Sequence, residues 1–109
     1  MSAYFVDKTE CALHGPFPGV QMSTACGQQM TLSVVEMKPR ASIPAHSHPH
    51  EQVGILLEGD GVFDIGDESC RVTPGMMWRI PGGTVHSIVA GESGLRALDV
   101  FYPIREDYR

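Results

Sequence analysis

A chain of 109 residues with 42% hydrophobic and 19% charged side chains carries enough apolar material for one domain, residues 1–109, and too much for a disordered segment. Its net charge of −5, with only eight Lys and Arg, excludes a nucleic-acid surface, which needs clustered basic groups. No apolar run approaches the ~20 residues of a membrane-spanning helix, and residues 1–8 lack the basic-then-apolar pattern of a secretory leader, so a cytoplasmic location is expected.

In chain order, a short turn is expected at 2–6, and the Gly- and Pro-rich stretch 14–19 places His14 in a surface loop. Segments rich in β-branched and apolar residues follow at 20–26, 30–37, 53–57, 62–65, 70–73, 76–80, 85–90 and 95–102. Turn signals separate them at Glu58-Gly-Asp-Gly61, Gly66-Asp67, Pro74-Gly75, Pro81-Gly-Gly83 and 91–94. Short strands punctuated in this way predict an all-β sandwich or barrel. In the last segment Leu95, Ala97, Asp99 and Phe101 share one face, and Arg96, Leu98 and Val100 the other. Both faces are largely apolar, which predicts sheet-on-sheet packing and a homodimer. Trp78 is expected in the barrel core or at an interface. Cys11, Cys26 and Cys70 lack metal-type spacing and read as reduced thiols.

Four of the five histidines fall in two blocks, His46-Ser-His48-Pro-His50-Glu51-Gln52 and Pro81-Gly-Gly83-Thr-Val-His86. Histidines one residue apart on a strand point to the same face, and imidazole suits zinc, copper, iron and nickel. Parity groups His46, His48 and Gln52, and sets Glu51 on the opposite face. Pro49 interrupts the pattern, so His50 is placed at the mouth of a pocket, where it can touch a substrate.

The spacing His46-x-His48-x₃-Gln52-x₆-Gly59, followed after 15 residues by Gly75-x₅-Pro81-x-Gly83-x₂-His86, resembles the two motifs of the cupin family. The resemblance implies a cupin barrel, that is, a double-stranded β-helix or jelly roll. It also implies one divalent metal ion (zinc, nickel, iron or manganese) held by His46, His48, Gln52 and His86. Three positions depart from the family pattern. Arg40 stands where a glycine is usual, Gln52 replaces the usual glutamate, and Ala90 replaces a frequent asparagine. Three imidazoles and an amide leave the ion's charge uncompensated, which favours strong polarisation of a bound oxygen and weaker metal binding.

A second cluster lies at Asp99-Val-Phe101-Tyr-Pro-Ile-Arg105-Glu-Asp-Tyr108. A carboxylate in the middle of an apolar strand needs a partner. Arg105 could supply it as a salt bridge pinning the tail. Alternatively, Asp99 carries a proton in the pocket while Arg105 clamps a substrate carboxylate bidentately and Phe101 forms the wall. With this tail, the chain resembles the small cupins of pectin and alginate breakdown that convert 4,5-unsaturated monouronates to linear 5-keto-4-deoxyuronates. That resemblance implies an isomerase- or lyase-type enzyme acting on a carboxylate-bearing sugar, with Asp99 and Arg105 as its catalytic residues; with the parity reading, Phe101, Arg105 and His50 then surround the substrate. A polyketide cyclase, another cupin lyase, an iron dioxygenase and a non-enzymatic metabolite-binding cupin are the alternatives.

Overall fold

The computed structural model describes residues 2–109. Eight strands form it: β1 (Ala12–His14), β2 (Val20–Cys26), β3 (Thr31–Met37), β4 (Ser42–His46), β5 (Glu51–Ile65), β6 (Glu68–Val72), β7 (Met77–Ile80) and β8 (His86–Tyr102). Two 3-10 turns, Lys8–Glu10 and Glu106–Tyr108, lie near the ends. No helix among the described residues is long and apolar enough to cross a membrane.

β5 and β8 are the spine. They pair antiparallel from Glu51↔Tyr102 to Ile65↔His86, with register shifts between Leu56 and Glu58 and between Gly59 and Gly61. The C-terminal half of β8 also pairs with β3, and the N-terminal half of β5 with β7. β2 and β1 extend this first layer beyond β3. The other halves of the spine carry β4 and β6, giving a second layer. Both long strands thus run through both layers, and the result is an antiparallel jelly roll.

Two expected turns are corrected by this arrangement. The segments 53–57 and 62–65 are one strand, as are 85–90 and 95–102. Glycine here serves close approach instead of chain reversal. A Cβ on Gly59 would lie 2.0 Å from the Gly94 carbonyl oxygen, and both residues have positive φ (79° and 72°). The two chains bend together at this point, and the register slips as at a β-bulge. β1 and β4 were not foreseen, because one is very short and the other contains Pro44. His14 accordingly ends a strand, with its ring 5.4 Å from that of Tyr108, and is not a loop residue. At the turn expected over 2–6, the chain bends with Tyr4 and Phe5 N–H donating to Ser2 Oγ, and a 3-10 turn follows at Lys8–Glu10, where Asp7 and Glu10 form a reciprocal capping box.

Arg40 has φ 63°, the only positive φ among the described non-glycine residues. It is the third residue of a turn closed by Ala41 N–H donating to the Lys38 carbonyl at 3.0 Å, with Pro39 second. Such a type II turn favours glycine at that place, which accounts for the family preference this chain departs from.

The inward faces of the two layers bury Val35, Leu56, Phe63, Ile80, Ile88 and Leu95 among others. Trp78 joins them, its ring 5.0 Å from Phe63 in an edge-to-face arrangement. This core fills part of the space between the layers and leaves a cavity.

Candidate metal centre and ligand cavity

His46 ends β4 directly opposite His86, which opens β8. His48 lies in the connection after β4, and Gln52 is the second residue of β5, opposite Phe101. The parity reading therefore needs correction. His46, His48 and Gln52 do not share a strand; the chain leaves one layer after His46 and enters the other at Glu51. Parity does hold within β5, where Gln52 and Leu56 are buried and Glu51 is exposed. The second motif reaches the first through Gly83, whose N–H donates to the His48 carbonyl at 2.8 Å.

The three histidines present one potential ligand atom each, all within 4.8 Å of one another. Each Nδ1 lies within hydrogen-bond distance of a carbonyl two residues away: His46 with Pro44 at 2.9 Å, His48 with His50 at 3.1 Å, and His86 with Thr84 at 2.8 Å. These bonds place the ring proton on Nδ1 and leave Nε2 as a free lone pair, the tautomer a metal requires. The buried His86 Nε2 has no hydrogen-bond partner among the described residues. His48 Nε2 meets only Gln52 Oε1, at 3.1 Å. As the amide is oriented, this sets two acceptors face to face, a contact that a shared cation satisfies. Burial, with the Arg105 charge and His86 behind it, lowers the His48 pKa to about 4. Burial likewise lowers that of His86. Both imidazoles are neutral at neutral pH, so the donor set fits a divalent metal ion.

A cavity of about 280 Å³ opens from this cluster, and its wall includes His46, Gln52, His86, Asp99, Phe101 and Arg105. Asp99 stands between Ser33 of β3 and Gly54 of β5, and Trp78 of β7 is next in the row. The Trp78 indole N–H reaches across Gly54 and donates to Asp99 Oδ1 at 2.8 Å. A Cβ on Gly54 would fall 2.2 Å from that oxygen and 2.3 Å from the indole nitrogen, so only glycine admits the pair. Burial pushes the Asp99 carboxyl up to about 6, opposed by hydrogen bonds from Trp78 and Gln52.

Arg105 is not the partner of Asp99, which corrects the salt-bridge expectation. Its guanidinium takes Asp107 instead, with Nε to Oδ1 at 3.2 Å and Nη2 to Oδ2 at 2.8 Å. It lies over Tyr108 (4.0 Å to the ring centroid) and Phe101 (4.9 Å). The fork is thus already occupied, leaving Nη1 without a hydrogen bond among the described residues; this argues against a free bidentate clamp. Phe101 packs edge-on to the His48 ring at 5.5 Å and so separates the histidines from the tail. His50, expected at the mouth, is half-buried beside His48 and orients that ring through its backbone carbonyl. Trp78 and Asp107 are the neighbours that sequence reasoning missed. The available signals were Gly54, a glycine at an inward position, and the short Arg105-Glu-Asp107 spacing.

A jelly roll with convergent, carbonyl-oriented histidines beside a small cavity defines a class, the small β-barrels whose interior can hold a metal ion. The chain belongs to the cupin family: the cupin domain model matches residues 33–101. KdgF from Halomonas sp. superposes with a TM-score of 0.84 and 28% identity, over 94% of this chain and 97% of that one. An RmlC-like cupin from Shewanella frigidimarina gives 0.88 at 21% identity, over 99% and 97%. The dimethylsulfoniopropionate lyase DddW of Ruegeria pomeroyi is 32% identical over 72 residues, which are 66% of this chain and 47% of that protein. The chain therefore spans about half the length of that relative. The chain is thus a small cupin that resembles KdgF over nearly its whole length.

Proposed function

We propose that this cupin converts 4,5-unsaturated monouronates to linear 5-keto-4-deoxyuronates. One observation carries the reading: a single cavity is walled by His46, His86 and Gln52, with His48 clustered beside them, and by a buried acid, an aromatic ring and an arginine. The likeness to KdgF over nearly the whole of both chains supports it. A volume of about 280 Å³ lies just below the usual ~300–1,000 Å³ of ligand pockets, which suits a monomer better than an oligosaccharide.

His46, His48, His86 and Gln52 would hold one divalent ion (zinc, nickel, iron or manganese), whose positive charge would polarise substrate oxygens. The reaction is an internal rearrangement without redox change. The hemiacetal hydroxyl loses its proton as the ring C–O bond breaks, giving an aldehyde and an enol. The enol carbon then takes up a proton and becomes the methylene beside a ketone. Asp99, whose burial lets it hold or release a proton near neutrality, moves that proton. Arg105 takes the substrate carboxylate through its remaining donors and its charge, and Phe101 keeps water from the enol. His50 sets His48 from behind.

Incubation of metal-loaded protein with unsaturated galacturonate should accelerate loss of the conjugated-enol absorbance, and a chelator should abolish that effect. No acceleration would sink the reading. The DddW match favours a second one, a lyase acting on a small acyclic carboxylate; release of dimethyl sulfide from dimethylsulfoniopropionate would select it.

The reading includes a homodimer. The outer face of the first layer carries two apolar rows, Leu32–Val100–Val53 and Val34–Leu98–Ile55–Met77, aligned across the paired strands. Leu32, Val53 and Met77 are exposed, and a second copy would cover them. Sedimentation giving a monomer mass would remove this part. A cytoplasmic setting, where the three free cysteines stay reduced, completes the reading.

A further inference from the structure

Three hydroxyl side chains on the inner face of β2 and β3 are almost fully buried: Thr24, Thr31 and Ser33. The tail satisfies two of them. Thr24 Oγ1 donates to the Tyr108 carbonyl, and Thr31 Oγ1 accepts the Arg105 N–H at 2.9 Å. Ser33 is 0% exposed and its Oγ has no hydrogen-bond partner among the described residues. It lines the cavity between its cross-strand neighbours Thr24 and Asp99, and Met22, Val35, Met37 and Ile43 elsewhere in the lining offer it no hydrogen-bond partner. A buried hydroxyl with no partner is a debt to folding, met only if something in the cavity bonds to it.

Ser33 faces Asp99 in register across β3 and β8. Cross-strand neighbours have Cβ atoms about 5 Å apart, and here the two side chains form no hydrogen bond with each other. The indole donates to Asp99 Oδ1 and the Gln52 amide also bonds the carboxylate, but a carboxylate offers about four acceptor sites, so Asp99 and Ser33 Oγ stand side by side at one point of the cavity wall with acceptor capacity to spare. A ligand hydroxyl at that point can donate to the carboxylate and accept from the serine at once; a methylene can do neither, and a carbonyl only the second.

We propose that Ser33 and Asp99 form a subsite for one hydroxyl group of a polyhydroxylated, sugar-like ligand, with Ser33 as its specificity-determining residue. This deepens the uronate-converting reading and rests on it for the ligand's identity.

Calorimetric titration of metal-loaded wild type, S33A and S33T with galacturonate, its monodeoxy analogues and galactose tests the assignment. S33A should weaken galacturonate about tenfold or more, with metal content unchanged, and S33T should restore most of the loss. For one deoxy analogue, wild type and S33A should bind alike. Galactose binding with the same serine dependence, where galacturonate does not bind, would remove the uronate reading and leave the subsite standing. Equal galacturonate affinity in wild type and S33A, or no binding of either sugar to wild type, overturns the proposal. The melting temperature supplies a check independent of ligand. S33A should melt no lower than wild type; a marked fall would mean that the hydroxyl has an internal partner, which also overturns the proposal.

Discussion

The two sides of the cavity are built in opposite ways. Each histidine is oriented by a carbonyl two residues away along its own chain segment. Asp99 is held by an indole 21 residues distant, and the tail bearing Arg105 is pinned to Thr31 across 74 residues. The histidine rings are thus oriented by local backbone geometry, whereas the acid side exists only once β3, β5, β7 and β8 have paired in register within the first layer. Local bonds survive small shifts in packing; the Trp78–Asp99 pair depends on the space above a single glycine.

The largest expected effect separates the two sides from the histidine end. His86→Ala removes the buried Nε2 that lacks a hydrogen-bond partner among the described residues. Loss of an outer-shell group alone costs a metal site roughly 10–100-fold in affinity, and loss of a direct ligand should exceed this. Bound metal by elemental analysis should fall below a tenth of an equivalent while the fold, seen by circular dichroism, persists. Retention of stoichiometric metal would break the comparison, because the histidine side would then not be the metal side.

Asp99→Asn attacks the other side. Proton-transfer groups contribute roughly 10²–10⁴-fold, and turnover of unsaturated galacturonate should drop within that range with metal content intact. The same variant tests the energetics in metal-free protein. Burial raises the folded pKa of Asp99 from 3.8 to about 6, so folding is disfavoured by ionisation. Stability from this group is fully present below the unfolded value and is lost as pH rises through about 6. The difference is worth about 3 kcal/mol at most, and Asp99→Asn should flatten the slope of stability between pH 4 and 7. An unchanged slope in urea titrations would place the proton elsewhere.

The contrast between near and distant partners also decides what the sequence disclosed. His46, His48, Gln52 and His86 stood out through the resemblance of their spacing to the cupin motifs, whereas the parity that grouped three of them fails because the chain changes layer between His46 and Glu51. The all-β class was legible from the punctuation by Gly and Pro. The reading stumbled where glycine had to be interpreted in three dimensions. Gly59 and Gly94 look like reversals but let two long strands approach. The actual partners of Asp99 and Arg105 were hidden for a related reason. Proximity along the chain suggested a mutual salt bridge as one of two alternatives, while register brings Trp78 to Asp99 and the tail's last turn brings Asp107 to Arg105.

Gly54→Ala probes that register with a smaller effect. Its methyl group would collide with both Asp99 and Trp78, and overpacking of this kind costs about 1–3 kcal/mol. Chemical denaturation should show that loss, and turnover should fall with it as the pair is forced apart. Bound metal should remain near one equivalent, since the carbonyls orienting the histidines lie in other segments. A variant that lost metal before activity would show that the distant side supports the local one.

The smallest effect comes from the turn before β4, a local feature like the histidine side but remote from any ligand. Arg40 in the left-handed region costs roughly 1–2 kcal/mol relative to glycine. Glycine returns part of that through the added freedom of the unfolded chain, about 0.4–1 kcal/mol. The ion pair of Arg40 with Glu92 at 3.3 Å is 75% and 85% exposed and contributes almost nothing. The backbone bond from Arg40 N–H to the Gly91 carbonyl needs no side chain and persists. The strain term wins, so Arg40→Gly should stabilise the protein by about 0.5 kcal/mol in denaturant unfolding. Metal content and turnover should stay at wild-type levels, because the turn touches neither side of the cavity. Destabilisation would mean that the arginine side chain has a packing role in the assembled protein outweighing its backbone cost.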